Sequence, residues 1–131
     1  MTGGTLQGRQ LRLVLLAHGQ QCLALESRLV AGCHRLTGHQ PPEAQTICLD
    51  RLLNLPDSAS AGQQLLLELK QGGTTVFGLW SGSADLIEVA AAAIHPLPPV
   101  LSARKHWPAL TALLLMNDQG IIPLFDVEKI A

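Results

Sequence analysis

The sequence predicts a single β-rich domain, and three observations support this fold class. Three pairs of apolar runs are each separated by a short turn containing glycine, which is the pattern of a β-hairpin. The runs are about five to eight residues long, which is the length of a strand and short for a helix. The chain of 131 residues is 47% apolar and only 15% charged, so it is expected to fold rather than to be disordered.

The first hairpin is predicted where LRLVLLAHG, at 11–19, is followed by QCLALES, with a turn at His18-Gly19-Gln20. The second is QQLLLELKQGGTTVFGLW, in which KQGG separates the two runs. The third is ALTALLLMNDQGIIPLF, in which NDQG separates them. Leucine favours helix in each run, but the spacing of the turns favours strands.

Two short segments are predicted to be helical, and they resemble each other. DRLLNL at 50–55 and DVEKIA at 126–131 each begin with an acidic residue, which suits the positive end of a helix. Residues 47–52 and 125–130 share the order apolar, variable, apolar, acid, cation, apolar. This repeat indicates a duplicated β-rich lobe.

The segment ADLIEVAAAAIHP has two interpretations. An acidic pair that imitates a capping box precedes four alanines, and Pro96 would stop a helix, so propensity predicts a helix over 86–95. The alternative is a strand over 86–89 followed by one helical turn of alanines. The three prolines of IHPLPPVL lack amide donors and mark an internal corner where a strand ends, which favours the alternative over a linker or a polyproline ligand.

Charge and composition exclude two classes of partner. The net charge is −1, the nine Lys and Arg residues are scattered, and the chain has no Tyr, two Phe and two Trp, so no nucleic-acid partner is expected. No apolar run reaches the length of a signal sequence or a membrane span, so we expect a cytoplasmic protein without membrane insertion. Residues 1–10, with three glycines, are expected to be flexible.

Metal binding and disulfide formation are not expected. Cys22, Cys33 and Cys48 are an odd number of cysteines in a chain without a secretion signal, and free cysteine is usually a small buried hydrophobe. With His34 and His39 they could form a metal site, but close pairs typical of structural zinc are absent.

Catalysis is not expected either. GLWSGS runs G-x-x-S-G rather than G-x-S-x-G, so Ser81 lacks the spacing of a nucleophile elbow. No phosphate loop follows the glycine pairs, and no carboxylates are placed as an acid and base pair. The sequence therefore predicts neither an enzyme nor a cofactor.

The two tryptophans are the candidate contact residues for a protein partner. Trp is found in cores more often than at interfaces, but it is enriched at binding hot spots. Trp80 lies next to a run of small residues and is the better candidate. Leu79 and Trp107 complete the predicted partner-binding set.

The C-terminal half, LLLELKQGGTTVFGLWSGSADLIEVAAAAIHPLPPVL followed by ALTALLLMNDQGIIPLFDVEKIA, resembles the second lobe of CheW-like chemotaxis adaptor domains. LRLVLLAHGQQCLALESRLVAGC and TICLDRLLNL are similar to parts of the first lobe. The resemblance covers most of residues 11–131. It implies two small five-stranded β-barrel lobes related by a pseudo-twofold, each with a short helix, in one domain spanning 1–131 with lobes near 11–60 and 61–131.

The resemblance also implies a function. CheW-like domains are adaptors without enzymatic activity that bridge chemoreceptors and a CheA-type histidine kinase, so these proteins are the expected partners, in a bacterial chemotaxis-like or surface-motility pathway. The chain departs from the family between Cys33 and Thr46, where a strand with a Gly-x-x-Asn-x-Arg-Gly-like pattern is replaced by HRLTGHQPPEAQ. A divergent member with a shortened first lobe is therefore expected.

Three alternatives remain open from the sequence. The first is a ligand-binding or regulatory β domain outside chemotaxis, with a pocket between the lobes. The second is a small enzyme built around Ser81 or Cys33. The third concerns assembly, because an uncovered sheet edge would allow the chain to form a homo-oligomer.

Overall fold

The computed structural model describes residues 9–36, 46–53, 64–98, 109–116 and 120–130. Most of them lie in ten β-strands: β1 Gln10–His18, β2 Gln21–Glu26, β3 Val30–Leu36, β4 Thr46–Cys48, β5 Gln64–Gln71, β6 Thr74–Trp80, β7 Ser83–Ala90, β8 Ile94–Pro96, β9 Leu110–Met116 and β10 Gly120–Phe125. Four short 3₁₀ helices lie between or after them: η1 Ser27–Leu29, η2 Leu49–Leu53, η3 Ala91–Ala93 and η4 Val127–Lys129. The predicted mostly-β fold is confirmed.

The hairpins form where the turn glycines predicted them. Gln71 pairs with Thr74 across the two-residue turn Gly72-Gly73, and both glycines have positive φ, 52° and 88°. A turn with two positive φ angles matches the twist of its flanking strands, and glycine adopts it without strain. The β1–β2 and β9–β10 pairs are antiparallel as well, although residues 117–119 of the third turn lie outside the described ranges.

The strands form two sheets. Sheet A has the order β7-β1-β2-β10-β9-β8, and sheet B has the order β3-β5-β6-β4. The two sheets correspond to the two predicted β lobes, and the described residues contribute six strands to sheet A and four to sheet B. Within the described residues, β9 and β8 extend sheet A beyond β10, and β4 is the last strand of sheet B on its side.

The two halves of the chain exchange strands between the sheets. The hairpin β1–β2 pairs with the later strands β7, antiparallel, and β10, parallel. The hairpin β5–β6 pairs with the earlier strands β3, antiparallel, and β4, parallel. The matching orders and directions are those of a pseudo-twofold. Each sheet takes strands from both sides of residue 60, so neither sheet coincides with a predicted lobe range, 11–60 or 61–131.

Two apolar cores lie on opposite faces of sheet A, because successive side chains of a strand point to opposite faces. The interlobe core joins the two sheets and the helices η2 and η4. Its buried members are Leu16, Leu23, Leu25, Leu49, Leu67, Leu69, Trp80, Ala109, Phe125, Val127 and Ile130. The sheet A core lies on the other face. Its buried members are Leu13, Leu15, Ala24, Val89, Ala112, Leu114, Ile122 and Leu124.

The alanine-rich segment is a strand and one turn, so the interpretation that relied on the prolines is confirmed and the helix over 86–95 is excluded. Strand β7 is followed by η3 and then by β8, which pairs with β9. Pro96 lies at the end of β8, which is an edge strand within the described part of the chain. An edge position suits proline because it has no N–H to donate to a second neighbour.

Pro123 lies within the second strand of the third predicted hairpin, although proline is unusual inside a sheet. It lies in β10, between β9 and β2, and faces Leu113 of β9. The parallel pairing with β2 begins only after it, at Leu124 and Phe125. The missing N–H of proline is therefore tolerated, because β10 has a single neighbour at that position.

The two segments predicted to be helical form short 3₁₀ helices rather than α-helices. The first begins at Leu49, one residue before Asp50, and the second at Val127. Asp126 is the N-cap of η4, and its side chain accepts a hydrogen bond of 3.0 Å from Glu128 N. Residues 54, 55 and 131 of the predicted segments lie outside the described ranges.

Candidate functional site

The crossing from sheet B to sheet A is built from Trp80, Ser81 and Gly82. Trp80 ends β6, its side chain is 0% exposed, and its indole N–H donates a hydrogen bond of 3.1 Å to the carbonyl oxygen of Ser83. The ring of His18 meets the ring of Trp80 edge-on, with centroids 6.5 Å apart. At Gly82 the close approach of a neighbouring strand explains why a small residue follows Ser81. A Cβ on Gly82 would lie 2.1 Å from the carbonyl oxygen of Ala17.

Asp50 and His18 fix the backbone of this crossing. The Asp50 carboxylate accepts a hydrogen bond of 2.9 Å from Ser81 N, and both residues are buried, at 4% and 2% exposure. On the other side of Ser81, its carbonyl oxygen contacts Nδ1 of His18. A carbonyl oxygen only accepts hydrogen bonds, so Nδ1 of His18 carries the proton.

This cluster brings together a serine, a histidine and an aspartate, but through backbone atoms of the serine. In a nucleophilic site, a base contacts the side-chain hydroxyl and the acid orients the base. Here both His18 and Asp50 contact the main chain of Ser81. The arrangement holds the chain in place and does not activate a hydroxyl. Sequence analysis missed it because 63 residues separate His18 from Ser81.

The three predicted contact residues have different positions. Trp80 is a member of the interlobe core and has no exposed surface. The predicted contact between Trp80 and a partner stays a prediction. Leu79 is half-buried and points to the opposite side of β6. Trp107 lies outside the residues that the structure describes.

Leu79 belongs to the outer face of sheet B, the face turned away from the interlobe core. Paired residues of neighbouring strands share a face, which places His34, Leu66, Leu79 and Cys48 in one row across the sheet. The next row contains Phe77, which is also half-buried. At the edge of this face, Nε2 of His34 lies 3.7 Å from the carboxylate of Glu68. The outer face therefore offers partly exposed apolar surface beside polar groups.

The described cysteines, which the sequence analysis weighs and rejects as metal ligands, do not lie together. Cys33 is exposed on β3, whereas Cys22 and Cys48 are half-buried in different sheets. Within the described ranges no three His, Cys, Asp or Glu side chains are grouped so that they could hold a metal ion. His39 lies outside those ranges.

A groove, here called the η1 groove, runs along the end of β1 and beside η1. It consists of a cleft of about 220 Å³ and an adjoining one of about 130 Å³, which share Glu26, Arg28 and Leu124. Leu11, Leu13 and Ile94 line the first cleft, and Asp126 and Glu128 line the second. The groove combines an apolar floor with charged walls, and no periodic pattern of residues predicts it.

Two ion pairs lie at the η1 groove. Nε of Arg28 donates to the carboxylate of Glu26 at 2.8 Å, and Nε of Arg12 donates to the carboxylate of Glu88 at 3.3 Å. All four side chains are substantially exposed, so these pairs contribute little to stability. In each pair a carboxylate balances the guanidinium charge, so the two pairs add no net charge to the groove.

Four large apolar side chains are exposed in the described part of the chain. Leu115 and Ile121 face each other across β9 and β10 and are 45% and 64% exposed. Leu86 on β7 is 64% exposed, and Leu11 at the η1 groove is 42% exposed. Leu115 and Ile121 thus form one exposed pair, whereas Leu11 lines the η1 groove, where exposed apolar surface coincides with a concave shape.

No helix in the described residues is both long and apolar enough to cross a membrane.

Comparison with known proteins identifies the fold but not a family. No protein-family model and no curated protein matches the sequence. Among solved structures, the chain is similar to the scaffolding protein TtCheW from Thermoanaerobacter tengcongensis, with a TM-score of 0.68 and 12% sequence identity over 89% of each chain. At this identity the similarity shows a shared CheW-like fold.

Proposed function

We propose that this protein is a non-catalytic adaptor of chemotaxis-like signal transduction, which bridges chemoreceptors and a CheA-type histidine kinase in the cytoplasm. The observation that carries the proposal is the fold. The two sheets take strands from both halves of the chain about a pseudo-twofold. Over 89% of both chains, this arrangement is similar to that of a protein described as a scaffold. An adaptor of this kind works through its surfaces.

Two surfaces support a role in binding proteins. The outer face of sheet B carries half-buried Leu79 and Cys48 in one row with exposed His34, and the η1 groove lies at the end of sheet A. Two separate surfaces on different sheets suit a protein that must hold two partners at once. Interfaces of this class combine an apolar centre with a polar rim, as both surfaces do.

The test is a reconstitution with the histidine kinase and chemoreceptors of the host that encodes this chain. We expect the full chain to sediment with receptor-containing membranes and to bring the kinase with it. Membranes and kinase mixed without the chain should show less co-sedimentation. A chain that binds neither the kinase nor the receptors would exclude the proposed function.

A pair of variants connects this test to a surface. Leu79→Gln places an amide on the outer face of sheet B and should weaken the recovery of one partner. Leu115→Gln is the control, because Leu115 is exposed on sheet A and lies on neither proposed surface. Equal losses for both variants would contradict a specific role of the outer face. Circular dichroism of both variants checks that they are folded.

A further inference from the structure

The η1 groove exposes part of the sheet A core. Leu13 and Leu124 are members of that core, at 1% and 6% exposure, and both line the groove. Leu11 precedes Leu13 on β1 and is 42% exposed. The apolar side chains of the groove therefore range from exposed to buried, an arrangement that can bind an apolar side chain of a partner.

The groove has a structural cause in the sheet order. Ile94 of β8 and Leu11 of β1 line the same cleft, but β8 pairs only with β9 in the described residues, and β1 pairs with β2 and β7. The two strands approach without a backbone ladder between them. The cleft thus lies at the end of sheet A, on the face of the sheet A core, where side chains of β1 and β8 approach each other and a side chain of a partner can enter.

The charges make one end of the groove acidic. Arg28 is paired with Glu26, and Arg12 is paired with Glu88, so these four groups sum to zero net charge. Asp126 and Glu128 line the adjoining cleft, and neither carboxylate forms an ion pair with a described residue. The groove therefore presents an apolar floor and a net negative charge at the η4 end.

We propose that the η1 groove binds a segment of a protein partner that carries apolar side chains next to a lysine or arginine. The apolar side chains lie on Leu11 and Leu124, and the cation lies near Asp126 and Glu128. The inference rests on the proposed adaptor function and names the surface and the chemistry of one partner. Charge complementarity gives specificity and register, and the apolar floor gives most of the affinity.

The probes are two fluorescein-labelled peptides of twelve residues with the same leucines and serines. One carries two lysines at one end, and the other carries two glutamates in the same positions. Fluorescence anisotropy with the full chain should show binding of the lysine peptide, weakened by salt, and weaker binding of the glutamate peptide. Equal or tighter binding of the glutamate peptide, or no binding of either, overturns the proposal.

Variants locate the binding. Glu128→Gln and Asp126→Asn should each weaken the lysine peptide by up to about fivefold, which is the range of exposed ion pairs. Asp126→Asn keeps an oxygen that can accept the hydrogen bond from Glu128 N, so η4 retains its cap. Leu11→Gln should also weaken binding, whereas the control Leu86→Gln, on β7, should not. Unchanged binding in all three groove variants overturns the proposal.

The outcome is separable from that of the proposed function. If the chain holds kinase and receptors and the Leu11→Gln, Glu128→Gln double variant holds both equally well, the groove inference is wrong and the adaptor function stands. If the lysine peptide binds in the groove and neither partner is held, the adaptor function is wrong. Loss of a dimer in Leu11→Gln, seen by analytical ultracentrifugation, would identify a second copy as the occupant and overturn the proposal.

Discussion

The carboxylate of Asp50 accepts a hydrogen bond from the backbone N–H of Ser81, at 2.9 Å and across 31 residues of sequence. It connects η2, which follows β4, to the point where the chain leaves sheet B for sheet A. Both residues are buried, so water does not replace either partner readily.

Asp50→Ala is therefore expected to destabilise the fold. Removing the acceptor leaves a buried N–H without a partner, which costs about 1–3 kcal/mol in the free energy of unfolding. Asp50→Asn retains a side-chain oxygen in the same position and should lose less. Urea denaturation of the three proteins measures the difference, and an Asp50→Ala variant as stable as the original chain would contradict this role.

Gly78→Ala is expected to destabilise the fold by overpacking. A Cβ at Gly78 would lie 2.8 Å from Cδ1 of Leu49 and 3.1 Å from Cδ1 of Leu69, both of which are fully buried. Inserting a methyl group into a packed core costs about 1–3 kcal/mol. Leu49→Val removes the nearest methyl carbon, so in a double-mutant cycle the two substitutions should lose less than the sum of their separate losses. Additive losses would indicate that the methyl group is accommodated elsewhere.

Gln71 is expected to stabilise the end of η4. Its side-chain amide donates hydrogen bonds to the carbonyl oxygens of Val127 and Ile130, at 2.8 Å and 2.5 Å. Gln71→Ala removes both bonds and should cost about 1–2 kcal/mol. Gln71→Glu should cost more at neutral pH, because a carboxylate facing two carbonyl oxygens is repelled.

The pH dependence of Gln71→Glu gives a second measurement. The carbonyl oxygens favour the protonated form of the new side chain, so its pKa in the folded state is raised above the ordinary value. The stability of this variant relative to Gln71→Ala should then be highest below about pH 4, where the protonated group donates, and should fall as pH rises. Thermal unfolding from pH 3.5 to 7.5 tests this, and a flat difference between the two variants would contradict it.

Cys33 is expected to react slowly for an exposed thiol. Its side chain is exposed in part, but burial of the sulfur by its neighbours raises the pKa of the Cys33 thiol above its ordinary value. The thiolate is the reactive form, so alkylation by iodoacetamide at pH 7.5 should be slower in the folded chain than in urea. Peptide mass spectrometry measures the rate at Cys33.

The raised pKa of the Cys33 thiol also makes the stability of the fold depend on pH. A raised pKa in the folded state means that folding favours the neutral thiol, so its contribution is complete below the ordinary pKa and is lost as pH rises through the raised value. The original chain should therefore lose a small amount of stability at alkaline pH. Cys33→Ser should abolish this loss and leave the stability at neutral pH unchanged. Equal alkylation rates in folded and unfolded chains would contradict the shift.

The hairpins could be predicted from sequence, and the pairing between them could not. Turn glycines such as Gly72 and Gly73 act locally, so their effect is visible in a few residues. The partner of each hairpin is chosen by apolar packing, and runs such as Leu65 to Leu67 would pack equally well in either half. The exchange of strands, with β10 beside β2, therefore needs the structure.

The proposed binding surfaces are less predictable from the sequence than the fold. The enrichment of tryptophan at interfaces predicts a partner contact at Trp80. The residue is fully buried, however, and its indole N–H donates to the carbonyl oxygen of Ser83. Leu79, its neighbour, points to the partly exposed face because strand residues alternate. The η1 groove combines residues from β1, η1, β8 and β10, and its shape depends on the approach of β1 and β8, which are about 80 residues apart in the chain.

The exchange of strands has a consequence for how the chain folds. The β1–β2 hairpin can close early, but its two outer partners, β7 and β10, follow it by many residues and complete sheet A only when most of the chain is present. Long-range pairing of this kind slows folding, because loop entropy is lost before the contacts form. During synthesis both edges of the β1–β2 hairpin therefore stay unpaired until the later strands emerge. In this interval the growing chain is most prone to pair with another copy or to need a chaperone.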